Sequence, residues 1–120
     1  MISLSALALA ASALNLGELP PQKLEPGRCV TFLWARTSPP RRVAMLTEVP
    51  QTLRVMHNRR VVDLAPGAGF MTFASADLII TLTVELTERA GGSLAEGALR
   101  LEEPGKDAIV VPVAGLRTCQ

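Results

Sequence analysis

Leu53-Arg54-Val55-Met56-His57 and Arg60-Val61-Val62-Asp63-Leu64 are two short runs separated by Asn58-Arg59. Each run alternates in polarity with period two, the pattern of a strand with one buried face. Asn tolerates positive φ, so a two-residue hairpin loop is expected at 58–59. That loop fixes the register. Leu53 then faces Leu64 and Val55 faces Val62 on one side of the ribbon. On the other side Met56 faces Val61, and Arg54 faces Asp63 as a cross-strand ion pair.

The same texture continues outward in both directions. Residues 30–36 alternate, with Val30, Phe32 and Trp34 on one face and Thr31, Leu33 and Ala35 on the other. Pro39-Pro40-Arg41-Arg42 ends that run, and residues 43–48 resume it. Ala65-Pro66-Gly67-Ala68-Gly69 reads as a loop before a short strand at 70–74. In residues 77–88, Leu78, Ile80, Leu82, Val84 and Leu86 share one face, which predicts a long strand. Ala90-Gly91-Gly92-Ser93 interrupts the pattern. A last hairpin joins residues 98–103 to 107–113 through Pro104-Gly105-Lys106, pairing Leu101 with Ile109 and Leu99 with Val111. Ile109-Val110-Val111 suits either a core strand or a strand that docks a partner.

Turn signals about every ten residues mark an all-β sandwich or barrel. The expectation is one small antiparallel β-sandwich of about seven to eight strands over residues 29–120. An immunoglobulin-like architecture suits the size. Its hallmark of two cysteines with a tryptophan between them on core strands is absent, because Trp34 follows Cys29 by only five residues.

Two segments precede that domain. Residues 1–13, Met-Ile-Ser-Leu-Ser-Ala-Leu-Ala-Leu-Ala-Ala-Ser-Ala, carry no charged side chain and end on a small-x-small site. They read as a cleaved secretory signal, and they are too short to span a bilayer. Residues 14–28 hold Pro20-Pro21 and Pro26, which forbid a continuous helix and predict an extended lead-in. Export agrees with the cysteines. Cys29 opens the domain and Cys119 is its penultimate residue, so a bond between them would join its ends. Closing a loop of that length stabilises by about 4 kcal/mol.

Composition excludes several functions. The 120 residues are 48% hydrophobic and 3% aromatic with a net charge of +1, so neither stacking platforms nor bulk charge favour nucleic acid. One His and two distant Cys rule out the common zinc sets, no calcium loop is present, and no cofactor motif is found. His57 is the single base available to a catalytic triad, and no Gly-x-Ser-x-Gly elbow accompanies it. Gly67-Ala68-Gly69 lacks the lysine and helix of a phosphate loop. Glu102 and Glu103, as strand neighbours, point to opposite faces, as do Glu85 and Glu88. No catalytic site is expected.

Charge is unevenly placed. Residues 1–60 carry eight Lys/Arg against three acids, and residues 61–120 carry four against eight. Arg41, Arg42, Arg59 and Arg60 fall on turns and would form a basic binding rim if those turns share one end of the domain. The plainer expectation is that the two halves pair with each other, as Arg54 and Asp63 do. Together these features point to a non-catalytic, periplasmic or secreted binding module that meets an envelope protein or an anionic surface. The alternatives are a cytosolic subunit docked by its N-terminal apolar segment, and a hydrolase or inhibitor with a site assembled across strands around His57.

Overall fold

The computed structural model describes residues 16–90 and 92–119, so the candidate signal at residues 1–13 lies outside the described residues. Nine antiparallel strands are present there: β1 (Leu16–Gly17), β2 (Cys29–Ala35), β3 (Arg41–Glu48), β4 (Gln51–His57), β5 (Arg60–Pro66), β6 (Thr72–Ser75), β7 (Leu78–Arg89), β8 (Gly92–Glu102) and β9 (Ile109–Cys119). From β2 to β9 each strand pairs with the next, and β9 returns to pair with β2 over seven residues, Cys29↔Cys119 to Ala35↔Val113. The result is an eight-stranded up-and-down barrel. β1 is an extra rung that pairs Leu16 with His57 and Gly17 with Met56 on β4.

The expected sandwich is therefore corrected to a barrel, and the immunoglobulin-like architecture with it. Strand alternation is the same in both folds; closure is decided by how strongly the sheet coils. Three places on this chain coil it. Val43 is a bulge on β3, where the register with β2 shifts between Leu33 and Trp34. At Gly97 and Gly115 the neighbouring strand comes so close that a Cβ would collide with the Thr83 and Phe32 carbonyls. These two glycines also sit inside β8 and β9. Those strands are accordingly longer than the expected 98–103 and 107–113, which stopped short of them.

The central hairpin has the expected register throughout, Leu53↔Leu64, Arg54↔Asp63, Val55↔Val62 and Met56↔Val61. Asn58 and Arg59 both have positive φ, 51° and 67°, the type I′ pattern that matches strand twist. The last hairpin also keeps its register, Leu99↔Val111 and Leu101↔Ile109, although its connection spans residues 103–108 rather than three. Ile109 and Val111 pack against the core while Val110 is exposed, so this run is a half-buried wall strand.

Side chains fill the barrel. Leu33, Ala35, Ala44, Leu46, Leu53, Val55, Leu64, Phe73, Leu78, Ile80, Leu82, Leu99, Leu101 and Val113 form one buried cluster, which alternation directs inward from every barrel strand. Each large member stabilises the fold by about 1.5–3 kcal/mol relative to an exposed position. Toward the C-terminal end of β7 the inward pattern loses its cover: Val84 is half-buried and Leu86 exposed.

A second, smaller core lies outside the barrel. Leu19 of the lead-in is fully buried with Val30 and Met45, and Leu24 and Phe32 pack beside them. The prolines keep the lead-in extended, which lets it lie across the outer faces of β2 and β3 as a strap. The lead-in is thus part of the folded unit, and Leu16–Gly17 adds a strand to what was expected to be strand-free chain.

Candidate functional site

The antiparallel order places the connections 36–40, 58–59, 76–77 and 103–108 at one end of the barrel, called upper here. Connections 49–50 and 67–71, and Ala90 after β7, lie at the lower end with Cys29 and Cys119. Both ends of the apolar interior are stoppered by polar pairs. At the upper end His57 Nε2 lies 3.1 Å from Glu103 Oε2, with side chains only 8% and 10% exposed, and Lys106 Nζ lies 3.8 Å from the same oxygen. At the lower end Arg117 donates to Glu48 through Nε at 2.6 Å and Nη2 at 3.0 Å. Arg117 faces inward, since its cross-strand neighbours Thr31 and Ser93 are both buried. The hydrogen bonds from Arg117 hold the Glu48 carboxyl below the ordinary glutamate range.

The cysteines are bonded as the sequence suggests: Cys29 and Cys119 join across the seam where β2 meets β9, with an S–S distance of 2.04 Å. A disulfide is compatible with an oxidising, extracellular compartment. It also leaves no free thiol among the described residues and sits at the opposite end of the barrel from His57. No Cys–His nucleophile can be assembled from them.

The four arginines of the expected rim do share the upper end, but they do different things. Arg41 Nη2 donates to the Leu16 carbonyl at 2.8 Å. Arg42 donates to the Leu19 carbonyl through Nε at 3.3 Å and Nη2 at 3.1 Å, and its guanidinium stacks 5.5 Å from the Phe32 ring centroid. Leu19 N–H donates in return to the Arg42 carbonyl at 2.8 Å. This pair clamps the strap. Arg59 and Arg60 are exposed and form no ion pair among the described residues.

Below the clamp, the strap and the barrel wall enclose an open cleft of about 640 Å³. Its apolar lining comes from Leu24, Val30, Met45, Val49 and Pro50. Its charged edges are Lys23, Glu25 and Arg28 on the strap, and Glu48, Arg54 and Asp63 on β3, β4 and β5. Most of these charges are internally matched. Arg54 chelates Asp63 at 2.7 and 3.1 Å, which raises the arginine pKa further, and it also donates to Gln22 Oε1 on the strap at 2.8 Å. Arg28 lies 3.6 Å from Glu25 and donates to the Val49 carbonyl. Lys23 has no ion-pair partner among the described residues.

The cleft thus offers an apolar floor and pre-fixed polar walls; among the described residues it has one free cation and no nucleophile–base pair. Among the described residues no group of three His, Cys, Asp or Glu side chains could hold a metal ion, and no helix is long and apolar enough to cross a membrane. Sequence reading missed the cleft because its two walls are separated in the chain and only the strap's path joins them. Glu103 was missed for the same reason: it lies 46 residues from His57, with no local pattern to link them. No protein family, curated protein or solved structure matches this chain.

Proposed function

We propose that this chain is an exported, non-catalytic binding module of the cell envelope, with the cleft beneath the strap as its ligand site. The observation that carries the reading is the contrast between a barrel interior occupied by a buried apolar cluster and an outer cleft with an apolar floor open to solvent. Small-ligand and peptide sites combine such a floor with a few placed polar groups. Since the other charged edges are already paired, Lys23 selects among ligands. The fitting partner is a short apolar segment of an envelope protein carrying one acidic group. Arg59 and Arg60 supply a weaker attraction for anionic surfaces at the other end. The signal-like residues 1–13 and the Cys29–Cys119 bond, which a reducing cytosol would not maintain, support a periplasmic or secreted location.

The test is selection of peptides from a displayed random library on the full chain, followed by titration of the winners against Lys23→Glu and Leu24→Asp. Apolar, acid-bearing peptides whose affinity falls about tenfold with either variant are expected. Failure to select any peptide, or binding indifferent to both variants, overturns the assignment. The location is checked separately by intact mass from the native host: loss of residues 1–13 with no alkylatable thiol is expected, and a full-length mass with two alkylated thiols refutes export.

A further inference from the structure

Among the described strands the barrel wall is incomplete on both sides of the short β6: β5 pairs with it only at Ala65↔Ala74 and Pro66↔Phe73, and the longer gap lies along β7. β6 pairs with β7 only from Thr72↔Thr81 to Ser75↔Leu78, and the Leu82 N–H donation to the Met71 carbonyl at 2.9 Å is the last bond on that side. β7 continues to Arg89, held from there on by β8 alone. Because bonding direction alternates along an antiparallel strand, Val84, Leu86 and Glu88 aim their N–H and C=O groups out of this edge. No described strand receives them. Leu86 is 53% exposed on it, and Phe70, 92% exposed, stands where the edge begins, next to Met71.

Charge makes the edge selective. On the outer face Glu85 lies directly opposite Glu96 of β8, a like-charge pair that weakens a ribbon. Glu96 has Arg36 at 3.5 Å; Glu85 has no cation among the described residues. Among the described residues Arg89, at the end of the same strand, makes only a 3.3 Å bond to the Glu88 carbonyl beside it. A missing cation and a spare one therefore lie four residues apart on one open edge.

We infer that β7 pairs with β7 of a second copy of this chain, antiparallel about a two-fold axis at Thr87. In that register each edge residue meets a bonding residue, with Leu86 opposite Glu88 of the second copy. Glu85 of each copy then faces Arg89 of the other, so both carboxylates gain the cation they lack. Moving the axis one residue to Leu86 would set Glu85 opposite Thr87 and Arg89 opposite Thr83, and moving it two residues to Glu85 would set the two Glu85 carboxylates against each other, so the charges select the register. An edge studded with Glu and Arg discourages pairing with an arbitrary strand and accepts its own inverse. This surface is on the opposite side of β8 from the strap and is independent of the cleft reading.

Self-association is measured by sedimentation equilibrium on the full chain and on two variants, Glu85→Arg and Arg89→Glu. The wild type should form a species of twice the 12.8 kDa chain mass, and each variant alone should associate about tenfold more weakly. Mixing the two variants in equal amounts should restore the dimer, because Arg at 85 and Arg at 89 on one copy then face Glu at 89 and Glu at 85 on the other. The mixture uses the same folded proteins as the single-variant runs, so misfolding cannot imitate the rescue. A wild type that stays monomeric, single variants that associate as the wild type does, or a mixture that stays weak each overturns the inference.

Discussion

Arg117 on β9 reaches across β2 to hold both carboxylate oxygens of Glu48 on β3, at 2.6 and 3.0 Å, and so covers the lower mouth of the barrel. Three strands are tied together by this one pair, immediately above the disulfide.

The Glu48–Arg117 pair should make stability fall in acid. The Glu48 carboxyl sits below its ordinary value because of the Arg117 hydrogen bonds. A depressed folded-state pKa contributes stability that is complete above the unfolded value, about 4.3, and is lost as pH falls through the lower folded value. Urea midpoints of the wild type should therefore drop more between pH 5 and pH 3 than those of Glu48→Gln. Equal drops would show that the pair does not couple folding to protons.

Removing the disulfide opens the only covalent closure of the β2–β9 seam. Cys29→Ser with Cys119→Ser should cost about 4 kcal/mol in denaturant unfolding at neutral pH, the scale set by a loop of 90 residues. Amide exchange along β2 and β9 should accelerate first. A loss below about 1 kcal/mol would mean that hydrogen bonding alone holds the seam.

Truncating Leu19, which is fully buried between strap and barrel, should cost about 2–4 kcal/mol. The loss should be accompanied by faster exchange of the Leu19 amide, now bonded to Arg42. If Leu19→Ala is as stable as the wild type, the strap is a passive cover and the cleft has no fixed wall.

His57 is buried beside Glu103 at the upper end of the barrel. His57→Ala removes the 3.1 Å contact of Nε2 with Glu103 Oε2 between two buried side chains and should destabilise by about 2 kcal/mol. The double variant His57→Leu with Glu103→Leu should lose less than the two single losses combined, since it removes both polar groups together. Additive losses would show that the two side chains do not support each other.

What the sequence made legible is what neighbours in the chain decide. The register of residues 53–64 follows from a two-residue loop and from Arg54 meeting Asp63, and all of it is local. The inward face of β7 from Leu78 to Leu82 follows from period two. The cysteine pairing came from placement at the two ends of the domain. Closure of the sheet was not legible, because whether β9 meets β2 depends on coiling summed over eight strands. The expected 98–103 and 107–113 stop short of Gly97 and Gly115; glycine normally weakens a strand, yet at these two positions it permits the close approach of the neighbouring strand inside β8 and β9. His57 with Glu103, and Glu48 with Arg117, join residues far apart in the chain that no window of sequence brings together.

With Cys29 bonded to Cys119, the chain between them is a covalent ring that the strap merely leaves as a tail. One peptide-bond cleavage in any turn of the barrel opens this ring without releasing a fragment. Arg59 and Arg60, exposed at the tip of a hairpin, are the natural place for a trypsin-like cut. A molecule nicked there would still migrate as one species without reductant and would keep all eight strands in register, a useful property where proteases and oxidising conditions occur together.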